Sequence, residues 1–282
     1  MALGIFNRGG NSERAEMSFV EHLEVLRGHL FRMVLAIVIG AVIVGVKNHF
    51  FIRNILMGPT HDDFPTYRWL CKIGQSLNLH NLCMKGIGIQ MQNTNVGGQF
   101  GVFFNVLLIG GFIIAFPYVF WEFWKFISPA LTAKERKSTR GVIFWVSFLF
   151  FLGVLFGYFV IAPYTVSFFA NFQIDSNIEN RWTIGSYIST LIPLILGTGL
   201  AFQLPLAMYF LSRAGIVSSV FLKKYRKHAI IIMLIVSGMI TPPDMLSQII
   251  VTLPLILLYE VSIQLAKRVE REEAKEELQE WS

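Results

Sequence analysis

The chain has 282 residues, of which 54% are hydrophobic and only 15% are charged, and its formal net charge is +6. A soluble domain carries about 25% charged residues, so the composition excludes an ordinary soluble protein. Several apolar runs reach the roughly 20 residues that cross a bilayer, which predicts a polytopic membrane protein. We interpret the positive charge as an orientation signal and as attraction to the anionic lipid bilayer, rather than as nucleic-acid binding.

The chain begins with a polar segment, 1–16, that is predicted to form a flexible cytoplasmic tail. Apolar residues at helical spacing follow in 17–28, where Ser18 and Glu21 fit a capping box that starts a helix. Two interpretations stay open for this segment. It is either an amphipathic helix lying on the inner membrane surface, or a helical extension of the first span, which we place at 30–51.

A long outer loop is predicted at 52–96, and it holds both cysteines of the chain, Cys71 and Cys83. A disulfide is expected if this loop faces an oxidising compartment, and two unpaired thiols are the alternative. A zinc site is not expected, because such sites usually need four ligands.

The second span is predicted at 98–120, and Gly97 with Gly101 would let another helix approach closely at its start. The third span is predicted at 141–162. Pro163 is expected to bend this helix rather than to end it, because an apolar sequence continues beyond the proline.

The stretch 120–140 joins these two spans and combines aromatic, basic and proline residues. Aromatic rings settle at the membrane–water boundary, and basic residues near span ends face the cytoplasm. We therefore predict a cytoplasmic elbow, with Pro129 in a turn. Glu135 lies among five cations of the elbow and is a candidate to bind a cationic partner. Its alternative function is local, since Thr132 and Glu135 fit a capping box that starts the third helix.

The fourth span is predicted at 187–212, and prolines and glycines interrupt it. Gln203 is its one strongly polar residue, and a polar side chain within the bilayer faces protein or water because exposure to lipid is costly. Two interpretations stay open. Gln203 either hydrogen-bonds another helix of the same chain, worth about 0.6 kcal/mol, or docks the transmembrane helix of another protein.

The last two apolar stretches are short. The first, 229–240, has 12 residues, about 18 Å of helix. After a turn in which Asp244 caps the next helix, the apolar sequence returns at 245–266. The pair forms either a re-entrant hairpin or two short spans in a thinned membrane. Glu260 is expected to reach the membrane surface or to hydrogen-bond a neighbour, and the acidic segment 269–282 to form a solvated cytoplasmic tail without specific contacts.

The distribution of basic residues predicts the topology. An arrangement with both termini cytoplasmic places 18 of the 24 lysines and arginines on the inner side, where basic residues near span ends are retained. The predicted fold is an all-α polytopic membrane protein with six transmembrane helices, the last two short, in a single domain over 17–268. An enzyme is not expected, because HExxH, GxSxG and P-loop motifs are missing, and neither a metal nor a cofactor is expected.

Four motifs in this order carry a resemblance to a known family: SFVEHLEVLR at 18–27, FISPALTAKERK at 126–137, AFQLP at 201–205 and TPPDMLSQ at 241–248. The chain resembles the C subunit of the twin-arginine protein translocase, the TatC family, from about residue 18 to residue 268. The resemblance implies a receptor in the bacterial inner membrane for the twin-arginine signal peptides of folded cargo proteins. It also implies single-span partner subunits of the TatA and TatB type, homo- or hetero-oligomers and export driven by the proton gradient.

The resemblance assigns residues to the recognition site. In the family, acids of the amino-terminal segment and of the elbow bind the arginine pair. Glu135 matches the elbow acid and Phe126 the adjacent aromatic residue. The amino-terminal motif usually reads HLEELR, and Val25 stands where the family has its second acid, so that Glu24 and Glu21 are the candidate substitutes.

Further positions follow from the same motifs. Arg27 is the arginine of the amino-terminal motif and is assigned to the same site. Gln203 stands where the family often carries a glutamate, which implies docking of a partner helix, with Glu260 as a second polar candidate. Pro59 matches a proline of the first outer loop and Asp244 the Pro-Pro-Asp turn, and both are expected to be important turns.

A different class of protein remains as the alternative. Broken helices are where secondary transporters form their binding sites, so the chain could carry a small solute or an ion through a midplane site near Gln203 and Glu260. Against this, the sequence has no convincing internal repeat.

Overall fold

The computed structural model describes residues 19–76, 91–127, 141–175, 177, 180–241 and 245–280. Within these ranges the chain is helical almost throughout, and its β-structure is limited to an isolated bridge between Gln92 and Thr183. The predicted all-α class is therefore confirmed. Residues 120–127 of the predicted elbow are helical and continue the second span past its predicted end. Residues 128–140, called the elbow from here on, lie outside the described residues, as do the Pro-Pro-Asp turn and the initial tail, and with them Pro129, Glu135, Asp244 and Cys83.

The main helices, in chain order, are α1 (Phe19–Val46), α2 (Pro65–Ser76), α3 (Gly98–Ile127), α4 (Val142–Phe156), α5 (Ala162–Asn171), α6 (Ile184–Ala201), α7 (Leu204–Arg213), α8 (Ser219–Lys224), α9 (Arg226–Ile240) and α10 (Met245–Glu280). A turn of α-helix (Asn48–Phe50), a π-helical segment (Phe51–Leu56) and a 3-10 turn (Gly58–Thr60) lie between α1 and α2. A second π-helical segment, Gly157–Ile161, joins α4 to α5.

Five helical segments of the described chain are long and apolar enough to cross a membrane: Glu24–Val46, Gly98–Ile127, Val142–Asn171, Ile184–Arg213 and Met245–Glu272. Many of their large apolar side chains are exposed, as expected of a surface that lipid covers. Helix α9 has 15 residues, about 22 Å, and is too short for a bilayer core of about 30 Å. The sixth span thus stays a prediction.

Helix α1 runs without a break from Phe19 to Val46. Of the two interpretations of the amino-terminal segment, the helical extension of the first span is correct, and a separate surface helix is wrong. The predicted start of the span at residue 30 is therefore late. The segment 19–27, which the sequence predicts to take part in recognition, forms the first two to three turns of a helix that continues into the apolar region.

Helices α1 and α3 pack against each other at a glycine contact. A Cβ atom at Gly40 would lie 2.5 Å from the carbonyl oxygen of Gly111, and one at Gly111 would lie 2.6 Å from the nitrogen of Ala41. The prediction that Gly97 and Gly101 serve this purpose is wrong, since no described atom lies within 4 Å of a Cβ at either position. Close approach occurs in the middle of α3, not at its start.

The two spans that contain prolines continue past them. Pro163 occupies the first turn of α5, directly after the π-helical segment, so it does not end the third span. The interruptions of the fourth span predicted at Pro193, Gly197 and Gly199 are wrong, since α6 runs unbroken through these residues. The fourth span breaks between α6 and α7 at Phe202 and Gln203, and Pro205 starts the new helix, where its missing N–H has no helical partner to lose.

The described part of the predicted outer loop, residues 52–76 and 91–96, contains helical segments and specific hydrogen bonds. The Tyr67 hydroxyl on α2 donates to the Pro59 carbonyl oxygen at 2.7 Å, and the Tyr187 hydroxyl on α6 donates to the Leu56 carbonyl oxygen at 2.7 Å. Pro59 is buried in this turn. Because Cys83 lies outside the described residues, its pairing with Cys71 stays a prediction.

The carboxyl-terminal segment is not a tail without contacts. Helix α10 continues to Glu280, and Val269 is 1% exposed. Glu270 accepts hydrogen bonds from the backbone N–H and the hydroxyl of Ser219, and Glu272 lies 2.7 Å from Arg213. The expectation of an acidic segment without specific contacts is therefore wrong for these two glutamates. Glu270 hydrogen-bonds the first residue of α8, and Glu272 pairs with the last residue of α7.

Candidate functional site

One end of the helical bundle gathers the start of α1, the ends of α3 and α7, helix α8, the start of α9 and the carboxyl-terminal part of α10, and we call it the basic end. The basic side chains there include Arg27, Arg32, Lys125, Arg213, Lys223, Lys224, Arg226, Lys227, Lys267, Arg268, Arg271 and Lys275. The ring centroids of Trp124 on α3 and Phe210 on α7 are 4.9 Å apart, which joins these helix ends. Of the recognition residues that the sequence predicts, Glu24, Arg27 and Phe126 are described and belong to this end of the bundle.

A buried carboxylate lies where α1 meets the end of α3. Glu122 is 1% exposed, and its Oε2 lies 2.7 Å from Nδ1 of His29 and 3.6 Å from Nη1 of Arg32. Its Oε1 lies 3.5 Å from Nζ of Lys125, one helical turn away. A buried charge is tolerated only when it is paired and hydrogen-bonded, and these three groups pair it.

Sequence reasoning missed Glu122, although a signal was present. It is an acid within the aromatic run at the end of the second span, and Lys125 follows at i+3. An acid is rare at such a position unless a partner from another helix pairs it.

The aromatic residue of the predicted site contacts α1 directly. The ring centroids of Phe126 and His29 are 6.1 Å apart, at an interplanar angle of 62°. Edge-to-face contacts of this kind are favourable. The structure thus brings the last turn of α3, which leads into the elbow, against the amino-terminal part of α1.

The pairing of α1 with α3 also fixes the position of Glu24 along the axis of α3. The Gly40–Gly111 contact and the His29–Glu122 contact lie eleven residues apart on each helix, so α1 and α3 run antiparallel in a constant register. Five residues further along the same register, Glu24 is level with Ile127, the last residue of α3.

The amino-terminal acid that the sequence favours is accessible. Glu24 and Arg27 are both exposed, and within the described chain no ion pair joins them, so the local pair that their spacing permits does not form. Val25 is 41% exposed. The side chain of Glu21 lies outside the described residues. Glu24 therefore remains available for a cationic partner.

Gln203 borders an apolar cleft of about 530 Å³ that reaches the basic end. Its walls are Phe116, Phe120, Phe123, Trp124 and Ile127 of α3, Val146 of α4 and Leu206 and Phe210 of α7, among others. Nε2 of Gln203 donates to the Val146 carbonyl oxygen at 3.1 Å, as the hydrogen-bonded interpretation expects. Its Oε1 is buried and accepts no hydrogen bond from any described residue. The wall of the cleft therefore contains an acceptor that the described residues do not satisfy.

Glu260 lies elsewhere. It pairs with Arg226 at the start of α9, with Nε to Oε1 at 2.8 Å, which agrees with the expected hydrogen bond to a neighbour. It is not among the described residues that line the cleft beside Gln203. A midplane solute site built from both residues is therefore not assembled. No group of three or more potential metal ligands occurs in the described ranges.

Comparison with known proteins identifies similar sequences. The family model described as Sec-independent protein translocase protein (TatC) matches residues 21–254. A Sec-independent protein translocase protein TatC from Blattabacterium sp. subsp. Periplaneta americana is 43% identical over 257 residues, which cover 90% of this chain and 97% of that protein. TatCy from Bacillus subtilis is 32% identical, with 92% of each chain covered.

Solved structures share the fold. A crystal structure of the twin arginine translocase receptor TatC in DDM aligns with a TM-score of 0.66 and 28% identity, and the alignment covers 87% of this chain and 99% of that one. A second crystal structure of the twin arginine translocase receptor TatC aligns with a TM-score of 0.62 and 27% identity over 89% of this chain and 100% of that one. Almost the whole described bundle therefore has a counterpart in these structures.

Proposed function

The chain belongs to the TatC family of Sec-independent protein translocase proteins, and from this we propose that it is the translocase subunit that binds the twin-arginine signal peptides of exported proteins. It is a multi-pass membrane subunit of a protein translocase and not an enzyme.

The observation that supports recognition most is the contact of Phe126 with His29. It joins the segment that leads into Glu135 to the segment that carries the exposed Glu24. A carboxylate on each side of this junction would bind the two planar guanidinium groups of adjacent arginines. Each charge-assisted hydrogen bond contributes about 1.5–3 kcal/mol, so two or three reach micromolar affinity once the apolar part of the peptide also packs on the helices.

The orientation belongs to the same proposal. We assign the basic end to the cytoplasm, because basic residues near span ends are retained there. Helix α9 is then a short sixth span, both termini are cytoplasmic, and the membrane is the bacterial inner membrane. The proton gradient drives export, as the family resemblance implies.

Partner subunits would dock at the cleft beside Gln203. The apolar walls suit a single transmembrane helix, and the Oε1 atom of Gln203 offers an acceptor to a polar side chain of that helix. Interhelical hydrogen bonds in membranes are worth about 0.6 kcal/mol on average, so Gln203 would select the docking position more than it would supply affinity. Glu260, half-exposed beside Arg226, is the second polar candidate for the same partners.

A peptide-binding experiment tests recognition. The purified protein is titrated with a fluorescent twin-arginine signal peptide and with a matched peptide that has two lysines. We expect Glu135→Ala to weaken twin-arginine binding at least about tenfold and Glu24→Gln to weaken it less. Glu272→Gln is the matched control, because it also removes a carboxylate of the basic end but one that pairs with Arg213. Equal affinity of the wild type for both peptides would contradict the proposal.

Co-purification tests partner docking. Gln203→Leu removes the acceptor but keeps an apolar side chain of similar size, and we expect less single-span partner subunit to co-purify. Gln203→Glu keeps an acceptor and should retain the partner. An unchanged yield with Gln203→Leu, at unchanged folded protein, would rule out this docking site.

A further inference from the structure

We propose that Glu122 is a positioning residue for signal-peptide recognition. Its hydrogen bond to His29 fixes the amino-terminal part of α1 against the end of α3, and thereby sets the spacing between Glu24 and Ile127, the residue that precedes the elbow. This inference rests on the proposed function. It concerns a residue that does not touch the peptide.

Glu122 cannot bind a guanidinium group of the peptide itself. Its side chain is almost fully buried, Oε2 faces His29 and Arg32, and Oε1 faces Lys125. Two fixed cations already surround this one carboxylate. A further cation would meet repulsion and has no surface through which to approach, so the effect of Glu122 on recognition passes through His29.

The position of the contact explains why it matters. The glycine contact of α1 with α3 lies eleven residues away, about 16 Å along the helix. Between the two contacts α1 exposes much of its apolar surface, including Leu30, Phe31, Val34 and Leu35. None of the residues 30–39 of α1 is fully buried. The hydrogen bond of Glu122 with His29 anchors the helix end that carries Glu24.

His29 connects Glu122 to the predicted recognition site through one further contact, with Phe126. His29 donates to Glu122 through one ring nitrogen, and its ring lies edge-on to Phe126. A rotation of the imidazole ring away from the carboxylate would also remove its contact with Phe126. Glu122 thus orients His29, His29 packs against Phe126, and Phe126 is the last aromatic residue before the elbow.

Three variants test the inference. Glu122→Leu removes both acceptors at similar size, Glu122→Gln keeps one acceptor, and His29→Phe keeps the ring but removes its donor. Binding of the twin-arginine and the double-lysine peptide is measured for each. Spin labels introduced as unnatural amino acids at positions 28 and 123 report the spacing of the two helices without using the native cysteines.

We expect Glu122→Leu and His29→Phe each to weaken twin-arginine binding about tenfold, to reduce the preference over the lysine peptide and to broaden the distance distribution. Glu122→Gln should recover most of the binding. The double variant Glu122→Leu/His29→Phe should lose no more than either single one, since the two residues act as one unit. Glu272→Gln should behave as the wild type.

Two results would overturn the inference: an intact arginine preference in both Glu122→Leu and His29→Phe, or a loss of binding with an unchanged distance distribution. If Glu122→Leu fails to fold, His29→Phe decides, because Glu122 then keeps Arg32 and Lys125 as partners. If the wild type shows no arginine preference, the proposed function fails, whereas the distances still report whether the contact holds the helices.

Discussion

Replacement of Gly111 by alanine should force α1 and α3 apart. The added Cβ would lie 2.6 Å from the nitrogen of Ala41 and 2.8 Å from the carbonyl oxygen of Ile37, whereas ordinary contact begins at 3.4 Å. The two helices must therefore separate locally by 0.6–0.8 Å, the difference between these values. Both neighbours are backbone atoms of a helix, so no flexible side chain can move aside.

The energetic effect has two opposing parts. Overpacking of this kind costs about 1–3 kcal/mol, while alanine is better than glycine in a helix by about 1 kcal/mol. Gly101→Ala on the same helix provides the matched control, because no described atom lies within 4 Å of its Cβ. The control gains the helix propensity alone, and the difference between the two variants isolates the steric cost.

Thermal unfolding of the purified protein in detergent measures this difference. For a chain of about this size, 1 kcal/mol shifts the midpoint by roughly 2–4 °C. We therefore expect Gly111→Ala to unfold about 2–12 °C below Gly101→Ala. Equal midpoints for the two variants would refute the close backbone contact, and with it the register that places Glu24 level with the end of α3.

Three further predictions concern the opposite end of the bundle and use the same unfolding assay. Tyr187→Phe leaves the buried Leu56 carbonyl oxygen without its donor and should cost about 1–3 kcal/mol; an unchanged midpoint would mean that water replaces the hydroxyl. Thr183→Ala removes the N-cap acceptor of the Ser186 N–H and should cost about 1 kcal/mol, whereas Thr183→Ser should restore the midpoint. Burial raises the pKa of Tyr67 above its ordinary value of 10.0. Stability from this group is complete below pH 10 and falls as the pH rises further, because the unfolded chain releases the proton first; Tyr67→Phe should reduce that alkaline loss, and an identical pH profile in the variant would contradict it.

Much of the fold could be predicted because few chain arrangements can span a bilayer. Apolar runs of sufficient length, basic residues at their ends and a proline inside an apolar run are local signals, and the continuation past Pro163 and the break beside Gln203 follow from them. The starts and ends of helices were less predictable. Helix α1 begins in a segment whose amphipathic pattern also suits a surface helix, and only the unbroken hydrogen bonding of the structure decides between the two.

The candidate site was predictable only where its residues form a contiguous motif. Phe126 and Glu24 belong to such motifs. The pairing of Glu122 with His29 joins residues 93 positions apart, and neither residue reveals the other without the register of α1 and α3. The glycine contact was missed for the same reason, since many glycines suit a close approach and the sequence does not indicate which one meets a partner.

The extension of α10 has a practical consequence for protein engineering. Truncation after Arg268, at the apparent limit of the apolar sequence, would delete Glu270 and Glu272 together with about three turns of helix α10. The first amide of α8 and the guanidinium of Arg213 would each lose a carboxylate that neutralises or caps it. Deleting this hydrophilic segment would therefore weaken the packing of α7 and α8 against α10. An affinity tag is better added after the complete helix than in place of its last turns.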